Sequence, residues 1–383
     1  MTSERKSFIV KTLTAADCVF ELPVLEPYVA PRTQIDLLVV AAGFEERILA
    51  VPRRLKVDGT AIGAEVLVGR YRTNAADNER RYEELAPLLM ALGAPISSFE
   101  ADDPTNVVAA VEAALARNAG TEHLHVAFDI SGASSTLILS VIAALARSSL
   151  SVEVTLFYTT AESYDPPPEG HGEPFVLKGH REEGIGTEPL SGPFGGHHHD
   201  HLPASVIALP SMYTDRLEAC LAQLNVGPIT GSADNLYWLL PSTGVDEHRW
   251  RQDHTLQAVR SLMRRLQGRD DDSDDVEVIR PDDMATSDVL DYAEAMRLLI
   301  ARIDDLPGHN ISIVHMGSKL QAIGVSLAAA AREEVAVLTA RPASFNAAKY
   351  SSGIGSMYLL HFSDFRSVLK AIADIGCLEV TTP

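Results

Sequence analysis

Continuous apolar runs alternate with amphipathic stretches along the first half of the chain. The runs "IDLLVVAA" and "LHVAF" are typical of strands that are buried on both faces of a parallel sheet. The stretch "TNVVAAVEAALARN" has apolar residues at helical spacing, and Thr105 or Asn106 is expected to cap its helix. This alternation of strands and helices predicts an α/β fold with a doubly wound, mostly parallel sheet.

The same pattern restarts after a stretch rich in proline and glycine that runs from Tyr164 to His201. Such a stretch is expected to lie at the surface or to act as a linker. Beyond it, "ASVIALP", "VEVIRPDD" and "NISIVHMGS" are predicted to be strands, each with a helix after it. A last strand, "EVAVLTARPASFN", predicts a second sheet that extends almost to residue 383.

The two halves of the chain resemble each other. Four segments of the first half match segments of the second half in the same order, and together they predict an internal duplication. The aligned pairs include Arg47 with Arg216, Gly132 with Gly317, Ser163 with Ser344 and Gly186 with Gly355.

We therefore expect an α/β protein of two tandem Rossmann-like lobes with mostly parallel sheets, related by internal duplication. The chain has 383 residues, which is too long for one ordinary core. The expected divisions are an N-terminal arm at 1–34, a first Rossmann-like lobe at 35–190, a His/Gly-rich linker at 191–203 and a second Rossmann-like lobe at 204–383.

Composition narrows the possible classes of function. The formal net charge is −20, from 52 acidic and 32 basic residues, so a broad nucleic-acid-binding surface is not expected. The three cysteines are widely spaced and form no CxxC pair, which predicts neither a disulfide framework nor a zinc knuckle. No apolar run reaches the roughly 18 residues that a membrane span needs, and the N-terminus lacks the features of a signal peptide. These features predict a cytoplasmic protein without membrane contact.

The turn "SGASS" follows the strand "LHVAF" and precedes a helix, which makes it a candidate anion site. Backbone N–H groups and the helix dipole favour an anion at a helix N-terminus, and glycine lets a phosphate approach the backbone. The aspartate at the strand end would repel a phosphate, but it could accept a hydrogen bond from a ribose hydroxyl or a base amine. The candidate residues of this turn are Asp129, Ser131, Gly132, Ser134 and Ser135.

The turn "HMGSK" occupies the matching place in the second half, and its lysine adds a positive charge to the same kind of site. Two further basic residues follow the last predicted strand. The candidate residues of this half are His315, Gly317, Ser318, Lys319, Arg341 and Lys349. Because ligands of open parallel sheets bind beyond the carboxyl ends of the strands, both sets of residues would line one cleft between the lobes.

A purely structural interpretation of the same residues stays open. The serines would then be helix caps and the glycines turn formers, without any ligand. Arg47 and Arg216 each lie near the start of a predicted helix and are expected to form local salt bridges. The acidic pairs at 102–103 and 282–283 follow predicted strands and are expected to cap the next helices.

Catalytic and metal-binding motifs are not recognisable. The sequence has no Ser/His/Asp order, no paired carboxylates, no Walker A loop and no GxGxxG, so neither catalytic residues nor a cofactor is predicted. The run "HHHDH", His197 to His201, misses the spacing HxHxDH because residue 196 is glycine. No structural or catalytic metal site is expected there, and the role of this cluster stays open.

The segment "FDISGASSTLIL" resembles CARF domains, the Rossmann-like sensors of cyclic oligonucleotides in CRISPR and related antiviral systems. Those domains carry a hydrophobic strand, then a turn of the type Asp/Asn-x-Thr/Ser-Gly-Gly-Thr-Lys, then a helix. Asp129, Ser131 and Gly132 match the beginning of that turn. Ala133 replaces its second glycine, and Ser135 stands where the family has lysine.

In the second half, Gly317, Ser318 and Lys319 match the later part of the turn, whereas Val314 and His315 replace its aspartate end. The resemblance covers about a dozen residues in each half. It implies a paired-domain ligand cleft, formed here within one chain. It also implies a separate effector protein, because neither a nuclease nor a helix-turn-helix motif is recognised after the second half.

The expected function is the binding or sensing of a nucleotide or related phosphorylated ligand, including a cyclic oligonucleotide, in an antiphage defence system. Two alternatives stay open. The same cleft could belong to a nucleotide or phosphodiester hydrolase or a transferase, or the chain could be a non-catalytic scaffold in a multiprotein complex. The sequence does not decide whether the chain forms a homo-oligomer.

Overall fold

The fold is described from a computed structural model. It covers residues 22–31, 34–120, 123–164, 182–183, 193–226, 235–267, 279–341, 344–345, 347 and 350–374. Residues 1–21 of the expected N-terminal arm, the start of the predicted strand "VEVIRPDD" and the candidate residue Lys349 lie outside the described residues.

Strands form where the chain carries apolar runs or β-branched residues. They are β1 (Glu26–Pro27), β2 (Ile35–Ala42), β3 (Ile62–Arg70), β4 (Ile96–Glu100), β5 (Leu124–Asp129), β6 (Val152–Thr159), β7 (Ser163–Tyr164), β8 (Glu182–Glu183), β9 (Ala204–Leu209), β10 (Leu236–Ser242), β11 (Met284–Asp288), β12 (Asn310–His315), β13 (Ala336–Leu338), β14 (Ser344–Phe345), β15 (Ser351–Ser352) and β16 (Met357–Phe362).

Amphipathic or fully apolar helices connect the longer strands. They are α1 (Ala50–Val57), α2 (Ala75–Met90), α3 (Pro104–Arg117), α4 (Ser135–Arg147), α5 (Asp215–Gln223), α6 (Arg249–Leu266), α7 (Tyr292–Asp304), α8 (Lys319–Ala331) and α9 (Phe365–Asp374). None of the described helices combines the length and the apolar character that a membrane span requires.

Two parallel sheets confirm the predicted α/β architecture. In the first sheet, β4, β3, β2, β5 and β6 lie side by side and are parallel to one another. In the second sheet, the parallel order is β11, β10, β9, β12 and β13. Each lobe therefore has its first strand in the centre, with the second and third strands on one side and the fourth and fifth on the other.

The final strand corrects the expected course of the second sheet. β16 pairs antiparallel with β6 of the first sheet, and β1 pairs antiparallel with β16. The second sheet ends at β13, so the expected second lobe at 204–383 supplies a strand to the first sheet. The long predicted strand "EVAVLTARPASFN" is wrong as a single element, because regular pairing with β12 covers only Ala336–Leu338.

The two lobes share an apolar core. Helices α4 and α8 are buried along most of their length and pack against each other, and α9 contacts both. One apolar cluster contains residues of both helices and of both sheets, among them Leu139, Ile142, Ile323 and Leu327. Burying a side chain of this size contributes about 1.5–3 kcal/mol, so this contact joins the lobes firmly.

Two local predictions are wrong in detail. The cap of α3 is Asp103, whose side chain accepts from the Thr105 N–H at 2.8 Å, so helix formation starts one residue before the expected caps. Asp282 and Asp283 directly precede the strand β11, which begins at Met284, so the expectation that this pair caps the next helix is wrong. The acidic cap of α7 in the second lobe is Asp291, which accepts from the Glu294 N–H at 2.9 Å.

Candidate ligand-binding site between the lobes

The turn after β5 is held by hydrogen bonds to its own side chains. Asp129 ends the strand, and its Oδ1 accepts from the Ser131 N–H at 2.9 Å. The Ser131 Oγ accepts from the Thr159 N–H at 2.9 Å, which ties the turn to the end of β6. A Cβ on Gly132 would lie 2.4 Å from the Ile48 Cγ2, so this position requires glycine for close packing.

Ser134 and Tyr71 complete the first turn. Ser134 caps α4, because its Oγ accepts from the Leu137 N–H at 3.2 Å. The Ser134 N–H donates to the Tyr71 hydroxyl at 2.8 Å, and that hydroxyl faces the Gly132 carbonyl at 3.4 Å. Ser135 is the first residue of α4 and is partly buried.

The turn after β12 is built in a similar way. Ser318 caps α8 through a capping box: its Oγ accepts from the Gln321 N–H at 3.1 Å, and the Gln321 Oε1 accepts from the Ser318 N–H at 2.9 Å. The Ser318 hydroxyl also donates to the Val289 carbonyl at 2.7 Å. A Cβ on Gly317 would lie 2.4 Å from the Gln321 Oε1.

Lys319 joins the two turns. It is the first residue of α8, and its Nζ donates to the Ala133 carbonyl of the first turn at 2.5 Å. Its partly buried ammonium interacts electrostatically with Glu45, Arg47 and Asp129, all in the first lobe. The candidate residues of the two turns therefore lie at one place between the lobes.

A buried ion pair forms the floor of this site. The Arg47 Nη2 donates to both carboxylate oxygens of Glu45, at 2.7 and 2.9 Å, and both residues are buried. The Arg47 Nη1 donates to the Thr159 carbonyl at 3.3 Å. From the second lobe, the Ser351 hydroxyl donates to the Glu45 Oε1 at 2.7 Å. The local salt bridge that was expected of Arg47 is confirmed, and its partner is Glu45, two residues earlier.

Burial shifts the protonation of the central groups. Burial raises the pKa of Asp129 to about 6, although Ser131, Arg47 and Lys319 oppose the shift. Burial and the nearby Arg47 lower the pKa of Lys319 to about 8, against the attraction of Glu45 and Asp129. For Glu45, burial alone would raise the pKa, but Arg47, Lys319 and two hydrogen-bond donors outweigh burial and hold the pKa below its usual range.

The second lobe has an arginine and a buried histidine at the matching place. Arg216, which the sequence match pairs with Arg47, donates through Nη1 to the Ala340 carbonyl at 3.0 Å. His315 ends β12 and is 1 % exposed, and neither ring nitrogen makes a hydrogen bond to the described residues. Burial lowers the pKa of His315 to about 4, and Arg216 adds to the shift while the Ser318 backbone opposes it.

Arg341 takes part in a second contact between the lobes. Its Nη1 lies 2.6 Å from the Asp102 Oδ1, and the Asp102 Oδ2 accepts from the Arg72 N–H at 2.7 Å. Asp103 is therefore the helix cap that was expected of this acidic pair, whereas Asp102 binds an arginine of the other lobe.

Short strands cross between the lobes beside the site. β7 of the first lobe pairs antiparallel with β15 of the second, and β8 of the first lobe pairs antiparallel with β14 of the second. Next to them, the rings of Phe44 and Tyr350 meet edge to face, 5.4 Å apart. Tyr164 has the Arg251 guanidinium 4.7 Å from its ring centre.

The sequence therefore identified the two turns but missed several of their partners. Tyr71 accepts a hydrogen bond from the first turn, Glu45 interacts electrostatically with Lys319, and Ser351 donates to Glu45, each from a segment that is distant in the chain. Glu45 could have been found from the sequence. It lies two residues before Arg47 and just after a buried strand, and a buried carboxylate needs a charged partner. His197 to His201 lie at the surface, remote in sequence from both turns.

Comparisons with known proteins give no family. No protein-family model and no curated protein matches the chain. A crystal structure of an uncharacterized protein from Alicyclobacillus acidocaldarius is similar, with 15 % identity and a TM-score of 0.22 over 34 % of this chain and 75 % of that one. The cytoplasmic domain of a prokaryotic cation chloride cotransporter is similar, with 12 % identity and a TM-score of 0.23 over 81 % of this chain and 96 % of that one. At these TM-scores neither likeness carries a functional argument.

Proposed function

We propose that the chain binds and senses a nucleotide or related phosphorylated ligand in the site between the lobes, without turning it over. Cyclic oligonucleotides are one ligand class that this site would accept, and antiphage defence is the setting that the resemblance to CARF domains implies. The observation that carries the proposal is the contact of the Lys319 Nζ with the Ala133 carbonyl, which places a desolvated cation of one lobe on the helix-opening turn of the other.

A phosphate would be a better partner for this lysine than the carbonyl is. A phosphate adds charge–charge attraction to the hydrogen bond of the ammonium, and lysine is a common phosphate-binding residue in proteins. A ligand phosphate that replaced the Ala133 carbonyl would also meet the N-terminus of α4, where the helix dipole favours negative charge. Ligand binding would thus change a contact between lobes, which is what a sensor requires.

We further propose that the lobes arose by duplication and that a pseudo-twofold axis passes through the site. The two sheets have the same parallel strand order. Under the sequence match, β7 corresponds to β14 and β8 to β15, so the pairs β7–β15 and β8–β14 are equivalent. Their registers agree as well: Ser163 lies opposite Ser352, and Ser344 lies opposite Glu183. A symmetric or repeated ligand fits such a site.

Aromatic side chains beside the site supply surfaces for a base. Phe44 and Tyr350 come from different lobes, are each partly buried, and neighbour Glu45 and Ser351 of the charged network. Stacking of a base on an aromatic ring contributes about 1–3 kcal/mol. This arrangement supports a nucleotide over a simple phosphate ester.

Sensing is favoured over catalysis because of the burial of the titratable groups. Asp129 is 2 % exposed and accepts from the turn, and His315 is 1 % exposed. A general acid or base must reach the reacting group directly or through one water. Neither residue presents a ring nitrogen or carboxylate oxygen at the surface of the site.

The test is ligand binding by the full chain and by one matched pair of variants. Nucleotides and cyclic di-, tri- and tetranucleotides are screened by thermal shift, and hits are quantified by calorimetry. Lys319→Met should weaken binding at least about tenfold, as expected for loss of a hydrogen bond between charged groups. Lys370→Met, a change on the exposed face of α9, should bind like the wild type.

Two results would overturn the proposal. One is a panel in which no compound shifts the melting temperature or binds. The other is equal affinity of the wild type and Lys319→Met for a compound that does bind. Product formation is followed in the same samples, and turnover that disappears in Asp129→Asn would replace sensing with hydrolysis or transfer.

A further inference from the structure

A second polar cluster lies at the opposite ends of the same strands. His125 and Glu153 are the second residues of β5 and β6 and lie side by side in the sheet. Thr155 is paired with His361 of β16 in the same way. Since alternate residues of a strand share a face, Glu153 and Thr155 bring both histidines to one face of the first sheet.

The distances show which atoms face each other. The His125 Nδ1 lies 3.6 Å and the His361 Nε2 lies 3.8 Å from the same Glu153 carboxylate oxygen. The other nitrogen of each ring lies against the Thr155 Oγ1, at 2.9 Å for the His125 Nε2 and 3.1 Å for the His361 Nδ1. The Gln34 carbonyl is 3.1 Å from the His125 Nδ1.

One assignment of protons satisfies the threonine contacts. A hydroxyl oxygen can accept two hydrogen bonds, so Thr155 can accept from both rings at once. In this assignment the His125 Nδ1 and the His361 Nε2, the two nitrogens that lie nearest the Glu153 carboxylate oxygen, carry lone pairs. Without a metal, the His125 Nδ1 can instead carry the proton and donate to the Gln34 carbonyl, so a bound metal would select the first assignment.

We propose that His125, Glu153 and His361 bind one divalent transition-metal ion of the zinc class. Metal–ligand bonds of about 2.0–2.1 Å in a tetrahedral site place ligand atoms roughly 3.3–3.4 Å apart, a few tenths of an ångström less than the two nitrogen–oxygen distances here. All three ligand atoms lie within 4.8 Å of one another. Two imidazoles and one carboxylate are a ligand set that zinc uses. The His361 side chain is 44 % exposed, so a fourth position is open to water.

Thr155 has the role of a positioning residue in this site. Histidine ligands of metals donate their second N–H to an outer partner, which fixes the ring orientation and the tautomer.

The metal would fasten the end of the chain to the first lobe. His361 lies on β16, which follows the second lobe in sequence and adds antiparallel to β6. Ligands on β5, β6 and β16 would close a loop that contains the whole second lobe. Metal binding would therefore stabilise the position of β16, whose preceding residues reach the site between the lobes through Ser351.

The experiment first removes the competing surface histidines. In a full-length background with His197→Gln, His199→Gln and His201→Gln, which are exposed positions, chelator-treated protein is titrated calorimetrically with Zn²⁺ and spectroscopically with Co²⁺. We expect one ion per chain, visible absorption typical of tetrahedral Co²⁺, and a higher melting temperature with Zn²⁺.

Variants in the same background connect the signal to the cluster. Glu153→Gln and His361→Ala should abolish binding at the one-to-one site, and Thr155→Val should weaken it about 10- to 100-fold, as loss of outer partners does. His123→Gln, an exposed histidine two residues before His125, should bind like the background. Absence of one-to-one metal binding, or equal metal binding by Glu153→Gln and the background protein, would show that the cluster is not a metal site and would overturn the proposal. A melting temperature without metal checks that each variant folds.

Discussion

The two lobes place an arginine in the same way but surround it differently. Arg47 donates to the Thr159 carbonyl just after the fifth strand of the first lobe, and Arg216 donates to the Ala340 carbonyl at the matching place of the second. Beside Arg47 lie Glu45 and a buried aspartate, whereas beside Arg216 lies a buried histidine. The sequence match puts Thr214 opposite Glu45.

This difference indicates that the arginine-to-carbonyl contact is the part that the fold needs. It joins the first helical segment of each lobe to the end of the fifth strand, and it occurs in both lobes. The charged residues around the arginine are the part that differs between the lobes. They are concentrated in the first lobe, and the second lobe contributes Lys319 to that same network. The site between the lobes is therefore asymmetric in charge although its backbone frame is repeated.

The largest expected effect comes from removing the two arginines one at a time. Arg47→Met leaves Glu45 as a buried, uncompensated charge, and breaking a buried pair costs about 3–5 kcal/mol of unfolding free energy. Arg216→Met removes a charged donor from a neutral carbonyl, which costs about 1–3 kcal/mol. Denaturant unfolding of both variants measures the two losses.

The double variant Glu45→Gln, Arg47→Met serves as the control for this comparison, because it removes the charge that Arg47→Met leaves behind. It should recover part of the stability that the single change loses. Equal losses for Arg47→Met and Arg216→Met, with no recovery in the double variant, would contradict the asymmetry in charge.

The residues that end the fourth strands should respond to acid in opposite directions. The pKa of His315 is about 4 in the folded chain and near 6.5 when unfolded, so the unfolded state binds more protons and stability falls as the pH drops through this window. The loss is about 3 kcal/mol. The pKa of Asp129 is about 6 in the folded chain and near 3.8 when unfolded, so between these values the folded state binds more protons. The stability of the fold should therefore fall by about 2–3 kcal/mol as the pH rises from about 4 to 6.

Single variants separate the two contributions. Denaturant unfolding between pH 4 and pH 7 is compared for the wild type, His315→Leu and Asp129→Asn. Relative to the wild type, His315→Leu should gain stability in acid, and Asp129→Asn should gain it toward neutrality. His123→Gln, an exposed position, should follow the wild type throughout. A pH profile of His315→Leu that matches the wild type would contradict burial of a neutral ring.

Local sequence patterns predicted most of the fold because burial on both faces leaves a continuous apolar run. β2, β5 and β6 were recognisable for this reason. β11 was not, because "MATSD" carries few apolar residues and lies at the edge of its sheet. β16 was missed as part of the first sheet, because antiparallel pairing with β6 is a contact between distant segments that local pattern does not encode.

The candidate sites divide in the same way. The turns at Gly132 and Gly317 were recognisable from small residues between a strand and a helix. Their partners were not, because Glu45 and Ser351 meet only after the lobes pack together. The cluster of His125, Glu153 and His361 has no spacing signature at all, since its ligands come from three strands.

The smallest expected effect compares the glycines of the two turns. A Cβ on Gly132 would lie 2.4 Å from the Cγ2 of Ile48, a buried β-branched side chain that has little freedom to move. A Cβ on Gly317 would lie 2.4 Å from the end of Gln321, a longer side chain that can rotate if it gives up its hydrogen bonds to Ser318 and Ser287. Gly132→Ala should therefore cost about 1–3 kcal/mol through overpacking, and Gly317→Ala about 1 kcal/mol through the lost hydrogen bonds. The pair Gly132→Ala and Ile48→Leu, tested together, separates the causes, because leucine has no Cγ2 methyl. The second change should restore part of the stability if the clash with Ile48 is responsible, and it should add its own loss if the turn needs glycine for another reason.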